Sequence, residues 1–330
     1  MKRKLRKLPT LRASALCCVC LALLALRAPA QSAAIAIQAD QPGVSVSSNL
    51  FGIFFEEINS AGDGGIYAEM IRNRSFEDSA NPPAYWTLSS NGTATGQMSL
   101  DTSLPLSATN THALALTKLG GGGSISAANS GYWGIALTRG ATYNLGFYAR
   151  GSAGFTGAIT ASLENSSGTL TYATDAVVGL TTAWQHFSLS LVPNTTDPAA
   201  QLVLSISQTG TVYLDFVSLF PAQTFHGRTN GLRPDLAAML ANLKPSFVRF
   251  PGGSWVDGTA ITNAYHWEPT VGNPANRVPR WNLWGYVVDN GLGYHEYLQL
   301  CEDIGAQPLF AVNCGMDVNQ DAVPTSQPGS

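Results

Sequence analysis

Gly52-Ile53-Phe54-Phe55-Glu56-Glu57-Ile58-Asn59 and Phe247-Val248-Arg249-Phe250-Pro251-Gly252-Gly253 decide the fold of this chain. Each is a short apolar run that ends in charged residues or glycines. A strand of a parallel α/β sheet delivers polar groups to the mouth of a pocket in this way. Neighbouring residues on a strand point to opposite faces, so only one of Glu56 and Glu57 is expected to face that pocket. The pair could equally form a solvated acidic edge. After Arg249, whose planar fork can hold a carboxylate or donate to hydroxyls, two glycines allow the backbone to approach a ligand closely.

Around the second run the pattern is helix, strand, helix, strand. Residues 233–243 place Leu236, Met239, Leu240 and Leu243 on one face, and Pro245 ends the helix. Residues 294–304 cluster Tyr294, Tyr297, Leu298, Cys301 and Ile304, with Gly305 as the stop. Residues 308–313 form another apolar strand. Such spacing predicts parallel βα units. Ahead of the first run, residues 31–46 alternate and predict a strand or two. Behind it, Ile66, Met70 and Ile71 have helical spacing.

Between the two runs the composition changes. From Asn81-Pro82-Pro83 to Pro221 the chain is rich in Ser, Thr, Gly and Ala. It breaks into short alternating stretches at 112–119, 134–137, 143–150, 158–164, 185–191, 201–207 and 212–220. Evenly spaced turns between short strands predict an antiparallel β-sandwich. The expected organisation is a leader at 1–30, the start of an α/β domain at 31–80, the sandwich at 81–221 and the continuation of the α/β domain at 222–330.

Lys2, Arg3, Lys4, Arg6 and Lys7 precede an apolar stretch from Ala13 to Leu26, and Ala28-Pro29-Ala30 offers small residues for cleavage. That is the layout of a secretory signal peptide. The leader holds seven of the 18 Lys and Arg and no acidic residue, which leaves 11 basic against 21 acidic groups, a formal net charge of −10. Such a surface argues against nucleic acid and anionic membrane as partners. Outside the leader only Cys301 and Cys314 remain, both read as buried free thiols. No Cys/His spacing suggests a metal, and no phosphate loop, dinucleotide fingerprint or Gly-x-Ser-x-Gly elbow occurs, so no cofactor is expected.

Several side chains are candidates for chemistry. Trp267, Trp281 and Trp284 fall in a Gly- and Asn-containing loop region and could stack on sugar rings, although packing is the commoner use of each. Glu296 lies in the first turn of a helix, where a carboxylate is also favoured by the dipole. Glu56, Asp257, Glu268, Glu296 and Asp317 all fall near strand ends or loops, and spacing picks no pair among them.

Residues 50–59, Gly64-Gly65-Ile66-Tyr67-Ala68-Glu69-Met70-Ile71-Arg72-Asn73-Arg74-Ser75-Phe76-Glu77 and Val248-Arg249-Phe250-Pro251-Gly252-Gly253 resemble α-L-arabinofuranosidases of glycoside hydrolase family 51. Trp281-Asn282-Leu283-Trp284-Gly285-Tyr286, Gly291-Leu292-Gly293-Tyr294-His295-Glu296 and Val312-Asn313 extend the resemblance. Within the insert, residues 131–135 and 212–219 look like a carbohydrate-binding-module-like sandwich. The resemblance implies α/β plus all-β architecture: an incomplete (β/α)8 TIM barrel interrupted by a jelly-roll-like antiparallel sandwich. It implies retaining hydrolysis of terminal α-L-arabinofuranosyl residues of arabinan or arabinoxylan. Carried over by position, Glu56 bonds sugar hydroxyls, Arg249 braces the catalytic carboxylates and Trp284 lines the pocket. Ser254, Glu296 and Asn313 complete the expected substrate-binding set. Ser254 stands where some members have Asn. The family's acid/base glutamate follows an asparagine, and no Asn-Glu dipeptide occurs here. Both catalytic carboxylates are therefore expected beyond Ser330. The alternative reading is a non-catalytic carbohydrate-binding protein.

Overall fold

The computed structural model describes residues 33–78 and 81–319. The expected leader lies outside them. The chain divides into a unit up to Ser47 and a second unit from Ser48 onward. In the first, residues 33–47 carry no strand, only a turn closed by Gln41 N–H on the carbonyl of Gln38. This corrects the expectation from alternation. A period of two becomes a strand only when a ladder partner takes up the backbone groups.

In the second unit, β1 (Ile53–Phe54) begins a parallel sheet and the chain then leaves it. It builds β2 (Trp86–Ser90), β3 (Thr95–Asp101), β4 (Ala113–Gly120), β5 (Ile125–Asn129), β6 (Ile135–Leu137) and β7 (Tyr143–Gly151). β8 (Ile159–Glu164), β9 (Thr171–Val177), β10 (Gln185–Leu191), β11 (Asp197–Ile206) and β12 (Gly210–Pro221) follow. Two antiparallel sheets result, in the orders β10-β7-β12-β4-β3 and β2-β5-β11-β8-β9, with β6 paired to β11. Leu114, Leu116, Phe147, Leu202, Leu204, Leu214 and Leu219 are among the side chains buried between them.

The chain then returns to the parallel sheet. α1 (Pro234–Asn242) precedes β13 (Phe247–Phe250). α2 (Ser254–Asp257) is one turn at the end of that strand, and the hairpin β14 (Arg280–Asn282) and β15 (Tyr286–Val288) comes next. α3 (Tyr294–Ile304) leads into β16 (Gln307–Phe310). The sheet order is β1-β13-β16, all parallel, with Ile53 opposite Val248 and Phe247 opposite Gln307. Its pairing runs past β1 itself, because Ser246 N–H reaches Phe51 and Phe55 N–H reaches the Arg249 carbonyl at 2.8 Å. Val248, Phe250, Tyr297, Leu300 and Cys301 are buried beneath it, with the Phe250 and Tyr297 rings stacked at 4.8 Å. Pro234 starts α1 at a position where its missing N–H costs nothing, and Gly305 ends α3 in the left-handed conformation at φ 72°.

Residues 66–71 are not helical, contrary to their spacing. A distorted turn at Gly62–Ile66 is followed by extended backbone. Tyr67 bridges Leu232, Ala68 N–H bonds Gly231, and Met70 N–H bonds Leu219. These long-range bonds take the donors that a helix would use. The thiol expectation is half corrected: Cys301 is buried and Cys314 is exposed, both free.

Candidate functional site

The C-terminal ends of β1, β13 and β16 bring Glu56, Glu57, Arg249, Gly252, Gly253, Ser254 and Asn313 to one edge of the sheet. In open parallel sheets that edge is where ligands bind. Glu56 and Glu57 diverge there, as strand geometry requires.

Glu56 turns toward the loop after β13. Its Oε1 accepts the backbone N–H groups of Gly253 at 3.0 Å and Trp255 at 2.8 Å. A carboxylate meeting two N–H groups at the first turn of α2 is held by charge-assisted bonds. Gly252 makes the approach possible, since a Cβ there would lie 2.6 Å from the Glu56 Cγ. Among the described residues, Oε2 of Glu56 accepts no hydrogen bond, so one carboxylate oxygen is available to a ligand.

Glu57 goes the other way and is 3% exposed. Tyr286 O–H lies 3.3 Å from its Oε1, and Asn282 donates to its carbonyl at 2.9 Å. Burial pushes the Glu57 carboxyl up to about 8, and the charge of Asp289 adds to the rise. Asp63, also buried, is raised well above the ordinary carboxylate range by burial, then by Asp289 and Glu57.

From this acidic pair a line of bonds runs into the sandwich. Asp63 Oδ2 accepts Asp289 N–H at 2.9 Å, and Asp289 Oδ2 meets Arg74 Nε at 2.5 Å. Arg74 Nη1 meets Glu69 Oε2 at 2.8 Å. Glu69 then accepts Ser218 O–H at 2.5 Å and the N–H groups of Ile71 and Leu219, each at 2.9 Å. A bulge in β12 between Asp215 and Ser218 aims Ser218 and Leu219 at Glu69. Arg74 is the cation of this line and carries Asp289 on one side and Glu69 on the other. Nothing in the sequence pattern pairs Arg74 with Asp289, because the partners are distant along the chain.

Arg249 is exposed, with its guanidinium 4.6 Å from the Phe54 ring centre. Among the described residues it forms no ion pair with Glu56. Ser254 is exposed at the first position of α2. Asn313 ties the end of β16 to α2, donating to the Val256 carbonyl at 3.0 Å and accepting Gly315 N–H at 2.6 Å. Trp284 is half-buried against Trp255, Tyr265 and Val288. Its backbone N–H is held by Asn282 Oδ1 at 2.8 Å, so Asn282 links the backbone of Trp284 to that of Glu57. Trp281 is exposed on β14, and Trp267 packs on Tyr294 at 5.1 Å.

Glu296 differs from the rest of the expected set. It is 5% exposed and bidentate with Arg277, both contacts at 2.8 Å. Gly293 N–H and Asn230 Nδ2 add bonds at 2.9 Å each. Both oxygens are used, so the group braces the start of α3 instead of presenting an oxygen to a ligand. Arg277 was missed in the sequence because its partner is nineteen positions away across a loop.

Beside β16 a cavity of about 40 Å³ touches Trp267, Glu268, Phe310 and Asn313. It has room for a few waters, not a furanose ring. Among the described residues no group of His, Cys, Asp and Glu could hold a metal ion.

Comparison with known proteins fits this geometry. A carbohydrate-binding domain model matches residues 68–211, and a model described as the alpha-L-arabinofuranosidase 1 domain matches residues 239–328. The parallel sheet that gathers polar groups at its strand ends is thus interrupted by a sandwich that matches a carbohydrate-binding domain model. Alpha-L-arabinofuranosidase 1 of Arabidopsis thaliana is 35% identical over 303 residues, covering 87% of this chain and 44% of the plant protein. The extracellular exo-alpha-L-arabinofuranosidase of Streptomyces chartreusis is 36% identical over 288 residues, covering 82% of this chain and 33% of its own length. The arabinose-bound MgGH51 α-L-arabinofuranosidase superposes with TM-score 0.80 at 34% identity, over 86% of this chain and 47% of that one. The chain belongs to the α-L-arabinofuranosidase family, and it spans under half the length of these relatives.

Proposed function

We propose that these residues form the sugar-holding part of a secreted, retaining α-L-arabinofuranosidase that removes terminal non-reducing arabinofuranosyl units from arabinan or arabinoxylan. The observation that carries the reading is Glu56: one oxygen is fixed by two backbone N–H groups and the other is open at the strand ends. In this reading Glu56 accepts sugar hydroxyls, Trp284 and Ser254 line the pocket, and Asn313 holds its floor. Arg249 braces the reacting carboxylates. The three parallel strands belong to a (β/α)8 barrel, and the acid/base and nucleophile come from sequence outside these 330 residues. Two observations favour that division: the absence of an Asn-Glu dipeptide, and the longer span of the relatives. Secretion is supported by the basic and apolar start of the sequence and by the extracellular Streptomyces relative.

The test is turnover of an aryl α-L-arabinofuranoside by the 330-residue chain and by the same chain joined to the remaining barrel of a family relative. Hydrolysis only by the joined protein, lost in Glu56→Gln, is expected. Robust turnover by the 330 residues alone would sink the claim that the catalytic pair lies elsewhere. The second reading, a carbohydrate-binding protein without catalysis, is favoured by the sandwich match at residues 68–211. Retention on arabinoxylan with no turnover by the joined protein would select it.

A further inference from the structure

We propose a second sugar site, distinct from the strand-end site, in the seam between the sandwich and the parallel sheet. It rests on the reading that the protein handles neutral arabinose-containing polysaccharide. A cavity of about 270 Å³ lies there, bordered by Trp133, Tyr132, Gln223, Arg233 and Asp235 and floored by the Gly64–Met70 segment. Trp133 is 75% exposed, the highest exposure of any tryptophan among the described residues. A bare indole beside a cavity of this size presents a flat apolar face on which a ring can stack.

The chemistry around the ring suits hydroxyl groups. Arg233 and Asp235 form a two-point pair, with Nε to Oδ1 at 3.2 Å and Nη2 to Oδ2 at 2.7 Å. The pair offers donors and acceptors in one plane while carrying no net charge. Gln223 is exposed and adds an amide with both functions. A sugar ring needs this combination: an apolar face to stack on and alternating donors and acceptors at its edge. An anionic ligand is disfavoured by the formal charge of −10 outside the leader. The cavity wall combines the Gly64–Met70 segment and the start of α1 with Ala136, Tyr143 and Pro221 of the sandwich strands. The walls come from two parts of the fold, so a polysaccharide seated here would touch the sandwich and the βα unit together.

Affinity electrophoresis of the 330-residue chain in gels containing linear arabinan or arabinoxylan tests the proposal, with plain gels as reference. The wild-type chain is expected to be retarded, and Trp133→Ala to be about tenfold less so, the scale of losing one covered indole face. Trp133→Phe should keep most of the retention. Tyr148→Ala, on the five-stranded sheet and outside the lining of this cavity, should keep all of it. The exposure of Trp133 means the alanine variant should melt with the wild type, and a thermal scan verifies this. Equal retention of wild type and Trp133→Ala would overturn the seam site while leaving polysaccharide binding in place. Absence of retention in every gel would overturn the seam site too, and the turnover assay of the joined protein then judges the hydrolase reading on its own.

Discussion

The carboxylate of Glu56 and the backbone N–H of Trp255 meet at 2.8 Å across 199 positions of chain. That contact closes the parallel sheet over its own loop and fixes the direction of the remaining Glu56 oxygen. Glu56→Gln keeps an acceptor for the two N–H groups but loses the charge. A fold unchanged by circular dichroism is expected, together with roughly 10- to 100-fold weaker arabinose binding by calorimetry in the joined protein, the scale of a charge-assisted hydrogen bond. Gly252→Ala should lose the same binding and about 1–3 kcal/mol of stability, because its Cβ would fall 2.6 Å from the Glu56 Cγ. Unaltered affinity in both variants would remove Glu56 from the site.

Arg277 and Glu296 bury a bidentate pair at the start of α3. Arg277→Ala strands the carboxylate and should cost about 3–5 kcal/mol in urea denaturation. Replacing both by apolar residues of similar volume should cost less than the single change. If Glu296→Gln weakened sugar binding without altering the denaturation midpoint, its place among the bracing groups would be wrong.

The Glu57 carboxyl titrates near 8 in the folded chain against its ordinary value of 4.5. The unfolded chain therefore releases this proton first, and the stabilisation from the protonated form is lost as pH rises from about 4.5 to about 8. Asp63 acts in the same direction. Melting temperature should fall across this window, and Glu57→Gln should flatten the fall. A wild-type profile that rises toward pH 8 would contradict the buried acid.

Arg74 is the cation between Asp289 and Glu69. Arg74→Met should leave both carboxylates buried without it and cost at least about 3 kcal/mol. Calorimetry should then show the sandwich melting apart from the βα unit, with a single step expected for the wild type. A single transition in the variant would mean that apolar packing alone couples them.

Cys301 is buried, with its thiol pushed up to about 11, and Cys314 is exposed. A chain beginning at Gln31 should show one thiol reacting quickly with a disulfide reagent and the second only on unfolding. Two fast thiols would mean that α3 is loose.

Local chemistry made some of this structure legible. α3 occupies the residues that its apolar spacing and Gly305 predicted, because a helix face and a left-handed stop are written within one segment. The expected runs at 143–150 and 185–191 are strands for a similar reason. β5 was not legible: Ile125-Ser126-Ala127-Ala128-Asn129 is buried throughout, so small residues face both sides and no alternation survives. β9 is largely exposed and polar, which reads as loop until its partner β8 is known. Residues 66–71 had helical spacing but were claimed by Leu219, Gly231 and Leu232. At the site, the position of Glu56 at a strand end could be read, whereas the bracing of Glu296 depended on an arginine that no periodicity connects to it.

The sandwich departs and returns across one hydrogen-bonded seam, with Tyr67 opposite Leu232 and Ala68 bonded to Gly231. A connection cut there and rejoined by a short turn would leave Ile53 still opposite Val248, since the register of the flanking strands does not depend on what lies between. In hereditary terms the insert is a cassette: one event can gain or lose it without a frame of the parent sheet being rewritten. In folding terms it is not, because Ser218 and Leu219 of β12 bond Glu69, Glu69 pairs with Arg74, and Arg74 meets Asp289 ahead of α3. Discarding the insert along with Arg74 would leave the buried Asp63 and its neighbour Asp289 without that cation.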